Sequence, residues 1–357
     1  MSDKIIEYFA ASNSYSGFVS YFDSVFNPTD YEQIYILKGG PGTGKSTFMK
    51  DIIKNFQSDA ISRELIFCSS DPDSLDGIIL ESSGKKIAVL DGTAPHAFDP
   101  MLPGAAEKII NLGMSWNPAL LKNNREKINN LAIKKRKHYK SAYHFLSIAG
   151  KCVEIIDEEI SSLLEFPYDI LEKHISEIPI GNSKEKTKVI SAFCKSGFLN
   201  ANSGARNADN TVNIVGIYGS EYIITRFLLN EARKKKADII ISPSPLDTKK
   251  TEAIYFTKTD TLIVAGDKPT NDKATLIDTS RFINVKALSS VKEKLEMLYK
   301  EREVMLWCAT DEFKKASEAH FETEKIYTAA MDFKKHKKLF NEVLSEIEDI
   351  FGINNDK

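Results

Sequence analysis

A short glycine-rich segment, residues 39–47, constrains this chain more than any other part of its sequence. It consists of Gly-Gly-Pro-Gly-Thr-Gly-Lys-Ser-Thr. The apolar run at 34–37 predicts a buried strand before it, and the apolar spacing over 46–56 predicts an amphipathic helix after it. Glycines let the backbone curl until successive N–H groups point inward, at the N-terminus of that helix. The segment therefore predicts a phosphate-binding loop between a strand and a helix.

The residues of this loop provide the groups that a nucleoside triphosphate requires. The Lys45 ammonium would bridge the terminal phosphates, and the Ser46 hydroxyl would be a ligand of Mg²⁺. ATP and Mg²⁺ are the predicted cofactors. The residues predicted to contact the nucleotide are Gly40, Pro41, Gly42, Thr43, Gly44, Lys45, Ser46 and Thr47.

A second apolar run, at 87–90, ends in the carboxylate of Asp91. In nucleotide sites such a strand places an aspartate beside the metal, so we expect Asp91 to hold Mg²⁺ together with Ser46. A plain turn after a core strand is the other interpretation. The residue that follows is Gly92, where many ATPases have a glutamate that polarises water. A catalytic base must therefore come from another segment.

Two segments offer that base. The acidic loop after a predicted strand at 65–68 contains Asp71, Asp73 and Asp76, and His96 lies shortly after the Asp91 strand. An ordinary capping turn explains the acidic loop equally well, and a solvated loop position explains the histidine. The residues predicted to act in catalysis are Lys45, Asp91, Asp73 and His96.

Composition excludes several classes of protein. The chain has 357 residues, 42% of them hydrophobic, with a net charge of −2, unlike a disordered tail or a polybasic nucleic-acid coat. Its four cysteines are widely spaced, which indicates neither a disulfide framework nor a zinc ribbon. We find no signal peptide and no apolar stretch near the ~20 residues that span a bilayer. These features predict a cytoplasmic protein with no membrane partner.

The length suggests two domains, at roughly 100 to 200 residues each. We expect a first domain at 1–178, with a helical hairpin at about 104–178. Residues 179–211, rich in Gly, Asn, Ser and Lys, are the predicted linker. A second domain follows at 212–357, with its own helical hairpin at about 288–352.

The second half of the sequence repeats the order of the first. Gly39 aligns with Gly216 and Gly42 with Gly219 at one offset, which indicates an internal duplication. Residues 221–223, Glu-Tyr-Ile, then stand where the first half has Gly-Lys-Ser, so the cation and the metal-binding hydroxyl are missing. The predicted fold is α/β, with two P-loop NTPase-like domains in tandem, each a three-layer structure around a parallel sheet. The second domain is predicted to be degenerate.

Three segments together, residues 36–47, 68–76 and 91–96, resemble an uncharacterised family of bacterial tandem P-loop ATPases that is common in Firmicutes. The resemblance extends over nearly the whole chain and implies ATP binding at the first loop. Members of that family also carry a phosphate loop in the second half, and this chain departs from them at 221–223. The departure argues against ATP hydrolysis at two sites.

The leading hypothesis is a cytoplasmic Mg²⁺-dependent ATPase whose nucleotide drives or gates a conformational change. A small-molecule or nucleoside kinase is the first alternative, with the basic stretch 134–140 acting as a lid. A nucleotide-gated binding protein with little turnover is the second. A homodimer through the helical arms is compatible with the sequence, nucleic acid is not favoured, and no protein partner is indicated.

Overall fold

The computed structural model describes residues 5–94, 97–201, 208–266 and 274–353. Two six-stranded mixed sheets, each accompanied by helices, give an α/β architecture. None of the helices in these ranges combines the length and the apolarity needed to cross a membrane.

The strands and helices follow one another along the chain in two similar series. The first series is β1 (Ile5–Phe9), β2 (Ala11–Ser14), β3 (Gly17–Ser20), α1 (Phe22–Val25), β4 (Gln33–Lys38), α2 (Lys45–Asn55), β5 (Ser62–Phe67), β6 (Leu75–Ser82), β7 (Lys85–Asp91), β8 (Glu107–Asn111), α3 (Pro118–Asn123), α4 (Arg125–Leu163) and α5 (Tyr168–Glu177). The second series is β9 (Glu185–Thr187), β10 (Ser191–Cys194), β11 (Gly197–Asn200), β12 (Asn210–Val215), α6 (Glu221–Lys234), β13 (Ile239–Pro243), β14 (Thr251–Phe256), β15 (Thr261–Gly266), β16 (Thr275–Asp278), α7 (Val285–Ala329) and α8 (Phe333–Phe351).

The two sheets have the same strand order. The first runs β1-β5-β6-β7-β4-β8, and the second, read in the matching direction, runs β9-β13-β14-β15-β12-β16. The hairpins β2–β3 and β10–β11 also correspond, and both carry a Ser-Gly-Phe triplet, at 16–18 and at 196–198. This shared topology supports the internal duplication predicted from the glycine pattern.

The prediction of parallel sheets was wrong in one respect, because both sheets are mixed. Strand β6 is antiparallel to β5 and to β7, and β14 is antiparallel to β13 and to β15. Ser83 and Gly84, both at positive φ, form the two-residue turn from β6 to β7. Such a turn joins antiparallel strands. Continuous apolar runs identify strands covered on both faces, but they do not fix strand direction.

The chain forms two compact units, each with more contacts inside it than to the other. Unit 1 comprises Met1–Ala10, Ser20–Ser141 and Asp311–Lys357, and unit 2 comprises Ala11–Val19 and Ala142–Thr310. This division differs from the predicted boundaries at 178 and 212, because α8 belongs with the first sheet and the hairpin β2–β3 with the second. An amphipathic pattern shows that a helix covers a sheet, but not which sheet it covers.

The core of unit 1 lies between its sheet, α2 and α8. Phe48 and Ile52 of α2 are fully buried, as are Val343 and Ile347 of α8. The rings of Phe48 and Phe340 meet edge to face at 5.2 Å. Helix α8 is thus part of the core that supports α2, and α2 begins at the predicted phosphate loop.

Unit 2 is built in the same way, with α5 in the place of α8. Leu171 of α5 is buried in one cluster with Ile224 and Leu228 of α6. The hairpin β2–β3 is held in this unit by Asn13, which donates to the carbonyl of Phe193 at 2.9 Å.

In its described part, the segment 179–211, predicted as a linker, contains the strands β9, β10 and β11 and the start of β12. Strand β9 pairs in parallel with β13 at the edge of the second sheet, and β10 pairs with β11. The hairpin turn requires Gly197, whose φ is +81°. Glycine, serine and lysine are common both in linkers and in short edge strands with tight turns, so composition alone misidentified this segment.

Ile347→Ala tests the contribution of α8 to the core of unit 1. Because Ile347 is 0% exposed, we expect a loss of about 2–5 kcal/mol in the free energy of unfolding. Lys338→Ala, at a side chain 82% exposed on the same helix, should change it by less than about 0.5 kcal/mol. Urea unfolding is followed by Trp116 fluorescence in a Trp307→Phe background, which leaves a single tryptophan, in unit 1. Equal effects of the two variants would show that α8 does not support this core.

Candidate functional site

Strand β4 ends at Lys38 and helix α2 begins at Lys45, and residues 39–44, the first glycine loop, join them. Gly42 has a φ of +67° and Gly44 a φ of +78°. Both angles lie in the left-handed region that favours glycine. Gly44, the N-cap residue of α2, has no side chain that could cap the helix. The N-cap residue therefore does not compete with an anionic ligand for the first N–H groups of the helix.

The Lys45 side chain lies over the first glycine loop. Its ammonium donates to the carbonyls of Gly39 and Gly40, each at 3.0 Å, and lies 3.5 Å from Asp91 Oδ2. The Thr43 hydroxyl donates to the Gly40 carbonyl at 2.9 Å and keeps the loop curled. With only 11% of its side chain exposed, Lys45 places a cation at the loop rather than in solvent.

Asp91 reaches the same place from the neighbouring strand. Strand β7 pairs in parallel with β4, and Leu37 is the register partner of Asp91, so both chains end at one edge of the sheet. Asp91 Oδ1 accepts hydrogen bonds from the Thr93 N–H at 2.9 Å and from the Thr93 hydroxyl at 2.5 Å. These bonds orient the carboxylate so that its other oxygen faces Lys45.

Ser46 connects α2 to the acidic loop. Its hydroxyl oxygen accepts a hydrogen bond from the Leu75 N–H at 3.0 Å, where β6 begins. Among the described residues, no group of three or more His, Cys, Asp or Glu side chains is arranged to hold a metal. Mg²⁺ in triphosphate sites needs only one or two protein oxygens, because phosphates and water complete its shell. The Ser46 hydroxyl and the Asp91 carboxylate fit that limited requirement.

The predicted base candidates occupy different positions. Asp73 has an exposed side chain, and its carbonyl accepts from the Lys50 ammonium at 2.5 Å. Asp76 is buried, whereas Asp71 is half-buried and interacts electrostatically with Glu324 beside the loop. His96 lies outside the described residues. Of the predicted catalytic residues, the structure brings Lys45 and Asp91 together.

Sequence reasoning missed the contacts that helix α7 makes with Gly42. A Cβ on Gly42 would lie 2.6 Å from the Glu324 carbonyl oxygen and 2.7 Å from Thr328 Oγ1. The Thr328 hydroxyl donates to the Gly42 carbonyl at 3.2 Å. The Glu324 carboxylate accepts from the Gly42 N–H, and burial raises its pKa against the effect of that bond. Position 42 therefore requires glycine for two reasons: its left-handed backbone angle and the close approach of α7.

Two further glycines of the loop lie against aromatic side chains. Gly40 faces Trp116 and Tyr327, whose rings are 5.4 Å apart, and Gly44 faces the His336 ring. Burial lowers the pKa of His336. These contacts come from residues far along the chain, and no motif in the sequence indicates them.

Helix α4 brings two residues of the basic stretch to the same region. Lys135 Nζ lies 3.3 Å from His320 Nδ1 on α7, and burial lowers the pKa of Lys135. Tyr139, one turn later, is hydrogen-bonded to Ser70, and burial raises its pKa to about 12. The charge run 134–140 is thus not a uniformly solvated face, because Lys135 and Tyr139 face the acidic loop and the first glycine loop.

Side chains of the protein fill the space at the second glycine loop (residues 216–220). A Cβ on Gly216 would lie 2.3 to 2.7 Å from side-chain atoms of Thr279, Ser220 and Glu221. The Ser220 and Thr279 hydroxyls are 2.6 Å apart. Tyr222 stands at the position that Lys45 has in the first loop, so this loop lacks the corresponding ammonium. The loss of phosphate binding at this loop stays a prediction.

Comparison of the chain with family models, with curated proteins and with solved structures gave no match. The resemblance to tandem P-loop ATPases therefore stays a prediction.

Gly42→Ala tests the close approach of α7 to the loop. We expect it to destabilise unit 1 by at least about 1 kcal/mol more than Gly84→Ala does, because overpacking adds to backbone strain. Gly84 is the matched control, with a φ of +78° and nothing within 4 Å of an added Cβ. Urea unfolding followed by Trp116 fluorescence measures both variants, and equal losses would contradict the contact.

Proposed function

We propose that this chain binds ATP with Mg²⁺ at the first glycine loop and hydrolyses it, and that the nucleotide gates a conformational change. The observation that carries this proposal is the meeting of Lys45, the N-terminus of α2 and Asp91 at one edge of the first sheet. A half-buried ammonium beside the N-terminus of a helix is suited to a polyanion.

Each residue has a distinct part in the proposed reaction. Lys45 exchanges its bonds to the carbonyls of Gly39 and Gly40 for phosphate oxygens. Ser46 and Asp91 would hold Mg²⁺, which when bound neutralises phosphate charge and orients the leaving group. The loop N–H groups stabilise the charge that develops on phosphate oxygens, without reorganisation, because the fold fixes their directions.

A nucleotide-gated binding protein with little turnover is the second candidate. The residue after Asp91 is Gly92, which offers no carboxylate to polarise water. Helix α7 also contacts the loop directly through Thr328. A ligand at the loop would therefore alter that contact even without hydrolysis.

Lys45→Ala should abolish nucleotide binding, because the variant removes the ammonium at the loop. The expected loss of affinity is at least about a hundredfold, as for a partly buried charge-assisted bond. Lys54→Ala is the control, since Lys54 lies on the same helix with 68% of its side chain exposed. Calorimetry with ATP and Mg²⁺ measures binding, and phosphate release measures turnover.

Three outcomes of that experiment are informative. If the native protein binds ATP and releases phosphate, and Lys45→Ala does neither, the result supports the ATPase proposal. Tight binding by the native protein with no phosphate release would favour the gated binding protein. Unchanged binding by Lys45→Ala would overturn both candidates.

One nucleotide per chain is the expected stoichiometry, because Glu221 and Tyr222 leave the second glycine loop without a phosphate site. Equilibrium dialysis with a labelled ATP analogue and Mg²⁺ measures this ratio. A Tyr222→Ala variant, which cannot remove a site that does not exist, should give the same value. Two nucleotides per chain would show that the second loop still binds.

A further inference from the structure

A carboxylate of helix α7 already occupies one donor of the first glycine loop. Glu324 accepts a hydrogen bond from the Gly42 N–H, and its own carbonyl oxygen lies against the same glycine. Thr328, one turn later, donates to the Gly42 carbonyl at 3.2 Å. The N–H groups of this loop are the ones proposed to bind phosphate. The Glu324 carboxylate therefore uses a donor that the phosphate would need.

The same carboxylate lies beside a histidine of its own helix and is attracted by lysines of two other helices. His320 Nε2 lies 3.6 Å from Glu324 Oε1, and His320 Nδ1 lies 3.3 Å from Lys135 Nζ. Lys45 and Lys135 both attract the carboxylate electrostatically. Residues of α4, α7 and the loop thereby form one connected cluster around Glu324.

The charges of this cluster favour an anion with more oxygens than a carboxylate has. Lys45 and Lys135 are both half-buried and repel each other, Lys45 lies 3.5 Å from Asp91 Oδ2, and Glu324 attracts both lysines. A triphosphate carries several charges and several acceptor oxygens, so it can serve the loop amides and both ammonium groups together.

We propose that Lys135 is a phosphate-binding residue of this site, and that Glu324 occupies its place as an internal anion until the nucleotide displaces it. The inference rests on the proposed function. It adds to the proposed ATP site a cation from α4 and a carboxylate from α7 that competes with the phosphates. Because Glu324 and Thr328 both contact Gly42, displacement of the carboxylate also loosens the contact between α7 and the loop.

Opposite effects of two substitutions test this inference. Lys135→Met should weaken binding of a non-hydrolysable ATP analogue with Mg²⁺ by about tenfold, and Glu324→Gln should tighten it by a similar factor. Lys135→Arg keeps the charge and should restore binding to near the native value. Trp116 fluorescence in the Trp307→Phe background reports the titration, since the Trp116 ring lies against Gly40.

Two control variants accompany the pair. Lys134→Met removes an exposed cation next to Lys135, and Glu322→Gln removes an exposed carboxylate on α7 that pairs with Lys325. Both should leave the affinity unchanged. Thermal unfolding of every variant is measured alongside. If the Lys135–His320–Glu324 cluster were purely structural, Lys135→Met and Glu324→Gln would both lower the stability of the protein, and both would shift the affinity for the analogue in the same direction.

The failures of the two proposals are distinguishable. Native binding that neither Lys135→Met nor Glu324→Gln changes, or that both weaken, would overturn the inference and leave the ATP site intact. No binding by the native protein and none by Glu324→Gln would overturn the proposed function, and this inference with it. Binding by Glu324→Gln alone would support both, with the carboxylate as a strong competitor.

Discussion

The backbone of Gly42 is the constraint on which the rest of the site depends. Its left-handed φ turns the chain so that α2 can start three residues later. Because Gly42 has no Cβ, the Glu324 carbonyl can pack directly against it. A side chain there would strain the turn and separate α7 from the loop. The start of α2 behind the loop and the position of Lys45 over the loop carbonyls both follow from this curvature.

Two copies of one topology have diverged at the corresponding loop. In each, an acidic residue of a long helix lies at an equivalent glycine of the loop: Glu324 at Gly42, and Asp157 3.4 Å from the Cβ position of Gly219. The cations differ. Asp157 is paired with Lys250 at 2.7 Å, which lies near the Tyr222 ring, whereas Glu324 is attracted by two lysines around an open loop. At the second loop the carboxylate has a direct ion pair, whereas at the first it lies among lysines that are proposed to bind a ligand.

Local patterns predicted the elements nearest the loop and failed where distant parts of the chain meet. Strand β4, helix α2 and Asp91 at the end of β7 were predicted correctly, because apolar periodicity and glycine restrictions act within a few residues. The direction of β6 and the strands within 179–211 were missed, since pairing partners are set by tertiary context. Glu324 was missed for the same reason, and Lys135 was considered only as part of the basic stretch 134–140. Their positions depend on where α4 and α7 pass the loop, and a charged residue on a helix looks alike in the sequence whether it faces solvent or a site.

A crystal structure of the native protein with a non-hydrolysable ATP analogue and Mg²⁺ tests the central claim most directly. We expect the triphosphate within the curl of residues 39–44, Lys45 turned from the loop carbonyls to phosphate oxygens, and the metal between Ser46 and Asp91. A triphosphate bound elsewhere, or a loop whose amides and ammonium keep their present partners at saturating analogue, would contradict the account.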